Sequence, residues 1–136
     1  MSHRTIRRLY EGWLAAWADS MGYPVVYQNS PFTPQSGELY LRAFLIPADT
    51  GSDDLAGEHR RYQGLFQVNV VSPAGQGSGQ AETIVMQLAD LFPVNMLLSD
   101  GDFTVQIVEP VAQGPEIQDA TEYTTPASFS YRADTP

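Results

Sequence analysis

Apolar positions along this chain fall into two helical stripes and several alternating runs, and their order predicts the fold. Over residues 2–21, Ile6, Leu9, Tyr10, Trp13, Trp17 and Met21 recur at steps of three and four, giving one face of an amphipathic helix. Ser2 offers an N-cap oxygen, and Gly22 followed by Pro24 marks the stop. Both tryptophans are expected to anchor the core, with packing of part of that face on a neighbouring subunit as the alternative. Residues 79–92 repeat the pattern with Ala81, Ile84, Val85, Leu88, Leu91 and Phe92. Ser78 is the expected cap of this second helix, Glu82 suits its first turn, and Pro93 ends it.

The strand signals lie between and after these helices. "PVVYQ" (24–28) predicts a short strand. "ELYLRAFLI" (38–46) is apolar on both faces, as a covered central strand would be. Residues 62–72 alternate Phe66, Val68 and Val70 with Gln67 and Asn69, so one face is wet. These two runs predict a hairpin, with the polar segment 47–61 at its tip. A weak strand at 94–98, a turn at 99–102 and an alternating strand at 103–109 follow. Residues 110–122 read as a loop, and the last strand falls near 125–132. Pro126 places the start of that strand at an edge or a bulge. Most connections are too short for parallel crossovers. The expectation is α+β: one domain over residues 1–136, with a mostly antiparallel β-sheet and two α-helices packed on one face.

Charge narrows the functional classes. Seven arginines and no lysine face sixteen acids, a net charge of −9. Six of the arginines lie in residues 1–61; beyond them, only Arg132 accompanies nine acids. So acidic a chain cannot grip nucleic acid by neutralising phosphates along a broad surface. Solubility, or a wall that repels DNA, remains. Arg4, Arg7 and Arg8 crowd the start of the first helix, where the helix dipole favours anions, so they are either solvated or balanced by a partner's acids. Asp49, Asp53, Asp54 and Glu58 concentrate in the 47–61 segment, which reads as a surface loop. No apolar run reaches the length of a membrane span, and none follows the N-terminal arginines as a signal peptide requires, so an intracellular product is expected. With no cysteine, the chain has neither disulfide nor thiolate chemistry.

Candidate chemistry is thin. "AGQGSGQ" (74–80) follows a strand and opens a helix, as phosphate-binding loops do. A Walker A loop needs a lysine, and this chain has none. In the dinucleotide fingerprint Gly75 and Gly77 fit, but Gln80 stands where the third glycine belongs, and no parallel βαβ unit surrounds it. Glycine's tolerance of positive φ explains the turn more simply, with a small-ligand or anion site at 75–79 kept as the alternative. His3 and His59 are the two histidines, and no G-x-S-x-G elbow accompanies either. The acids around His59 miss the EF-hand spacing, which leaves weak divalent-cation binding open on charge alone. No catalytic, cofactor-binding or metal-binding residue is assigned, and no cofactor is expected.

The order "NSPFTP" (29–34), "YLRAFLIPA" (40–48), "HRRYQGLFQVNVVSPAGQGSGQAE" (59–82), "LADLFP" (88–93) and "PASFSYRA" (126–133) resembles the phage tail-terminator-like proteins, small minor tail proteins of phages and prophages. The resemblance spans nearly the whole chain, and "YQGLFQVNVVSPAGQG" ahead of a helix ending in "LFP" is its most specific part. It implies a structural virion protein without enzymatic activity. Such proteins form a ring, commonly a hexamer, that caps the tail tube, stops its polymerisation and offers a face to head-completion proteins. The implied partners are further copies of the chain, the tail tube protein and a head-completion or neck protein, with DNA passing through the lumen unbound. The implied location is the virion tail, and the host cytoplasm during assembly. A head–tail connector or neck role is the alternative. The candidate subunit or tube contacts are Arg4, Arg7, Arg8, Asp49, Asp53, Asp54, Glu58 and Arg132. The first helix and an exposed sheet edge near 125–132 are the expected ring surfaces.

Overall fold

Two helices lie on one face of a mixed, curled sheet in the computed structural model, which describes residues 2–28, 37–48, 60–75, 79–119 and 121–134. Helix α1 (His3–Met21) begins where the Ser2 hydroxyl accepts from the Thr5 N–H and ends at Gly22, whose φ of 77° closes the helix in the left-handed region. Ile6, Tyr10, Leu14 and Ala18 form its buried row, each four residues from the last. This differs from the expected stripe. Trp13 and Met21 are each 43% exposed, while Leu14 and Ala18 take the central positions. Trp13 serves the packing by another route: its indole N–H donates to the Leu91 carbonyl at 2.9 Å, tying α1 to the end of helix α2 (Gly79–Leu91). Trp17 does pack against the core, half-buried beside Tyr23. The expected cap Ser78 lies outside the described residues.

The strands are β1 (Val25–Tyr27), β2 (Tyr40–Pro47), β3 (Arg61–Pro73), β4 (Leu97–Asp100), β5 (Phe103–Ile107), β6 (Ala112–Gln113), β7 (Ile117–Gln118) and β8 (Glu122–Asp134). They run in the order β1-β2-β3-β8-β5-β4, with β6 and β7 also paired to β8. The β2–β3 hairpin is present, in register from Tyr40 opposite Val71 to Pro47 opposite Gly64. Its tip, residues 49–59, lies outside the described residues. β1 pairs with β2 in parallel, the exception in an otherwise antiparallel sheet. The loop read over 110–122 contains β6 and β7, and β4 begins three residues later than expected.

Two expectations about strand position are corrected. β2 is fully covered on one face, where Leu41, Ala43 and Leu45 are buried; on the other, Tyr40 is buried and Phe44 half-buried, but Arg42 and Ile46 are exposed opposite Asn69 and Leu65. Its apolar pattern reflects half a core and half an open face. The last strand is no edge. β8 is flanked by β3 along its whole length and by β5, β6 and β7 on its other side. Pro126 is tolerated because its carbonyl faces the β6 side, accepting from the Gly114 N–H at 2.9 Å. Its missing N–H therefore falls between β6 and β7 and takes no bond from the ladder with β3.

Tyr10, Phe66, Phe92 and Phe129 fill the layer between helices and sheet, and all six ring pairs have centroids 4.9–6.0 Å apart. Every one of these four side chains is buried. The sheet edge beside α1 is closed by side chains where β1 stops. Leu41 N–H donates to the Pro24 carbonyl, and two residues past the last β1 pair the Leu45 N–H donates to the Gln28 side-chain oxygen at 2.9 Å. Arg7 Nε donates to that same oxygen at 3.0 Å, so α1 holds the plug in place.

Candidate functional site

The candidate contact residues among those described fall on the exposed surfaces of the fold. The first is the outer flank of α1. Arg4, Arg7, Arg8, Gly12, Ala15 and Tyr27 line a shallow groove of about 480 Å³, with Glu11 on its wall. The three arginines differ in employment. Arg7 steadies Gln28, and Arg8 pairs with Asp100 at the far edge of the sheet, both groups of that pair being exposed. Successive side chains of one helix thus reach the two opposite margins of a curled sheet. Solvent screening limits the exposed pair to about 0–1 kcal/mol. Arg4 is exposed and has no ion-pair or hydrogen-bond partner among the described residues. The Glu11 carboxyl is pushed above its ordinary range by burial, with nearby Arg7 drawing it down.

The second surface lies where the β2–β3 hairpin opens. Ala48 N–H donates to the Gln63 carbonyl at 2.8 Å, and the acidic segment springs from this foot. Asp49, Asp53, Asp54, Glu58 and His59 lie outside the described residues, so the sequence-based expectation for them stays an expectation. Arg132 stands beside the foot, opposite Gln63 on β3 and Gln106 on β5. It lines a hollow of about 460 Å³ together with Ala48, Leu65, Val108 and Glu109. Its Nε donates to Asp134 at 2.9 Å. Arg132 and the α1 arginines line different hollows, so the described candidate contacts fall on two surfaces.

Behind that hollow the N-terminus of α1 is locked to the sheet. His3 Nδ1 and the Tyr131 hydroxyl are 2.9 Å apart, and the His3 ring stands edge-on to Tyr62 with centroids 5.1 Å apart. Burial lowers the His3 pKa, and Arg7 one turn along lowers it further, so the neutral imidazole is favoured. Burial also pushes the Tyr131 hydroxyl up to about 12, which keeps it a hydrogen-bonding phenol. This histidine serves packing.

A third surface was missed by sequence reasoning. The segment 110–122, read as a loop, carries exposed Glu116, Ile117 and Asp119 just before, on and just after β7. Ile117 is 62% exposed. Asp119 caps its own turn, accepting from the Thr121 and Glu122 N–H groups at 2.9 and 2.7 Å, and those bonds hold its pKa below the ordinary value. The pattern "EIQD", one apolar residue set among carboxylates, carries no periodicity that would have marked it. As for the glycine-rich turn, Gly75 has φ 90°, a conformation that favours glycine, while residues 76–78 lie outside the described set. Among the described residues no three histidines, aspartates or glutamates group as a metal site. No helix among them is long and apolar enough to cross a membrane.

These surfaces can be set against known proteins. Comparison with curated proteins gave no match. Among solved structures, a chain that carries no functional name is 41% identical, with a TM-score of 0.82 over 98% of this chain and 96% of its own length. The phage tail terminator protein family matches residues 5–131, from the first turn of α1 to Tyr131 in β8. That span holds both helices nearly entire, the hairpin and the core of the sheet, and on it the chain belongs to the phage tail terminator family.

Proposed function

We propose that this protein is the ring-forming cap of a phage tail tube, which stops tube growth and presents its free face to the head-completion protein. The observation that carries the reading is the family match over residues 5–131. On this reading the protein works by shape and charge, without enzymatic activity or cofactor, and is located in the virion tail. Its partners are its own copies, the tail tube protein and a neck protein, with DNA passing through the lumen. A net charge of −9 with a single arginine after residue 61 supports a lumen that repels DNA.

Deletion of the gene in its phage or prophage, with tail lengths measured by electron microscopy, tests the proposal. Tubes longer than wild type are expected. Tails of normal length that fail to join heads would instead assign a neck role, and normal virions would refute both.

We further assign the 49–58 segment to the lumen or the tube contact, because it carries four acids in a long stretch between β2 and β3. Replacing Asp49, Asp53, Asp54 and Glu58 with Asn or Gln is expected to leave the unfolding midpoint within the range of a surface change, about 0.5 kcal/mol. Infectious particle yield is expected to drop at least tenfold. An unchanged yield would remove the segment from the working surface.

A further inference from the structure

The α1 groove and the "EIQD" turn are complementary. The groove is lined by Gly12, Ala15 and Tyr27, with Glu11 and the arginines at positions 4, 7 and 8. Gly12 sits mid-helix, where glycine is less favourable than alanine. Nothing described lies within 4 Å of the place its Cβ would occupy, so no contact inside the subunit demands it. A surface that approaches the helix closely would. The turn offers what such a groove accepts: an apolar side chain, Ile117, with Glu116 before it and Asp119 after it.

Glu11 also lines the groove, and Arg7 and Arg8 are engaged by Gln28 and Asp100, so Arg4 is the cation it offers to a partner. No arginine or lysine occurs between residues 62 and 131, so the carboxylates of this turn have no cation in their own stretch of chain. Glu116 accepts from the Gln113 amide at 3.2 Å, and Asp119 is held by backbone N–H groups. By contrast, Asp100, the acid beside exposed Leu97, already pairs with Arg8 of its own chain.

The two surfaces are separate patches of the subunit: the groove is lined by α1 and Tyr27 of β1, whereas β7 pairs with β8. Two different patches are what a head-to-tail contact between copies needs.

We infer that the arginine groove of α1 receives the Glu116–Asp119 turn of a second copy of this chain, with Ile117 seated over Gly12 and Ala15. This rests on the ring reading and names its contact. Tail lengths are to be measured in phage carrying Arg4→Glu, Glu116→Arg, or both. Each single change is expected to raise the fraction of overlong tubes at least tenfold, and the double change to restore wild-type lengths. Two exposed positions, Ala16→Cys and Gln118→Cys, introduced together into this cysteine-free chain, give a second readout. A short bis-maleimide should then produce a ladder of cross-linked copies, absent from either single variant.

Single charge changes that cap tubes as well as wild type, a double variant no better than its parents, or no ladder at millimolar chain concentration would each overturn the contact. If deleting the gene leaves tube length normal, the cap reading fails instead, and the cross-linking still decides whether the two surfaces meet.

Discussion

Gly64→Ala will unfold at a clearly lower urea concentration than wild type, and Gly64→Val lower still. Gly64 lies in β3 opposite Pro47 on one side and Tyr131 on the other. A Cβ added there would stand 2.4 Å from the Ile46 carbonyl oxygen, 2.7 Å from the Tyr131 hydroxyl and 3.0 Å from the Pro47 Cα. Two of those atoms are backbone of β2 and cannot swing aside. The third belongs to a buried ring whose hydroxyl is held by His3. Overpacking of this kind costs about 1–3 kcal/mol, and a loss of about 3 kcal/mol is expected for alanine because strand backbone must shift. The contacts also predict coupling. Tyr131→Phe removes one of the three obstructions, so Gly64→Ala should cost less in that background than in wild type, a non-additivity that a double-mutant cycle reads directly. A Gly64→Ala chain with an unchanged midpoint would mean that the end of β2 is not held where it lies.

Tyr10 yields the second large effect, with opposite signs for two substitutions. Its ring touches Phe66, Phe92 and Phe129, so Tyr10→Ala removes the centre of the aromatic layer and is expected to cost about 3–5 kcal/mol. Its hydroxyl is buried with no hydrogen-bond partner among the described residues. An unmade hydrogen bond of a buried group costs about 1–3 kcal/mol, so Tyr10→Phe should be neutral or stabilising by about 1 kcal/mol. Alkaline pH separates the variants further. Burial, and next the neighbouring Tyr131, raise the Tyr10 pKa far above its ordinary 10.0, and burial raises Tyr131 to about 12. Both groups keep their protons in the folded chain and release them in the unfolded one. Their stabilisation is complete below pH 10 and is lost as pH rises from there toward 12. Tyr10→Phe is therefore expected to flatten the alkaline fall in unfolding free energy, measured by urea titration at pH 9, 10 and 11. A slope equal to that of wild type would show that the hydroxyl is not buried as described.

The candidate surfaces were legible to different degrees. Arg4, Arg7 and Arg8 stood out as cations at the wrong end of a helix, and the structure explains two of them by neighbours remote in sequence, Gln28 and Asp100. Nothing local could reveal those partners, since the curl of the sheet brings both margins within reach of one helix. Ile117 was invisible as a contact because a lone apolar residue in a polar stretch carries no periodicity. Its exposure is apparent only when β7 is seen paired at the rim of β8.

What the sequence determined by itself were the features settled within a few residues. The Ser2 cap, the Gly22 stop, the alternation of β3 and the period of α2 follow from side-chain oxygens, glycine's left-handed freedom and the repeats of 2 and 3.6. The tertiary structure alone decided which strand became central, which face of β2 stayed open, and that Leu14 rather than Trp13 entered the core. Those outcomes depend on what lies across the sheet or on the neighbouring helix. An apolar residue favours burial in general, and only the packed chain supplies the particular surface that buries it.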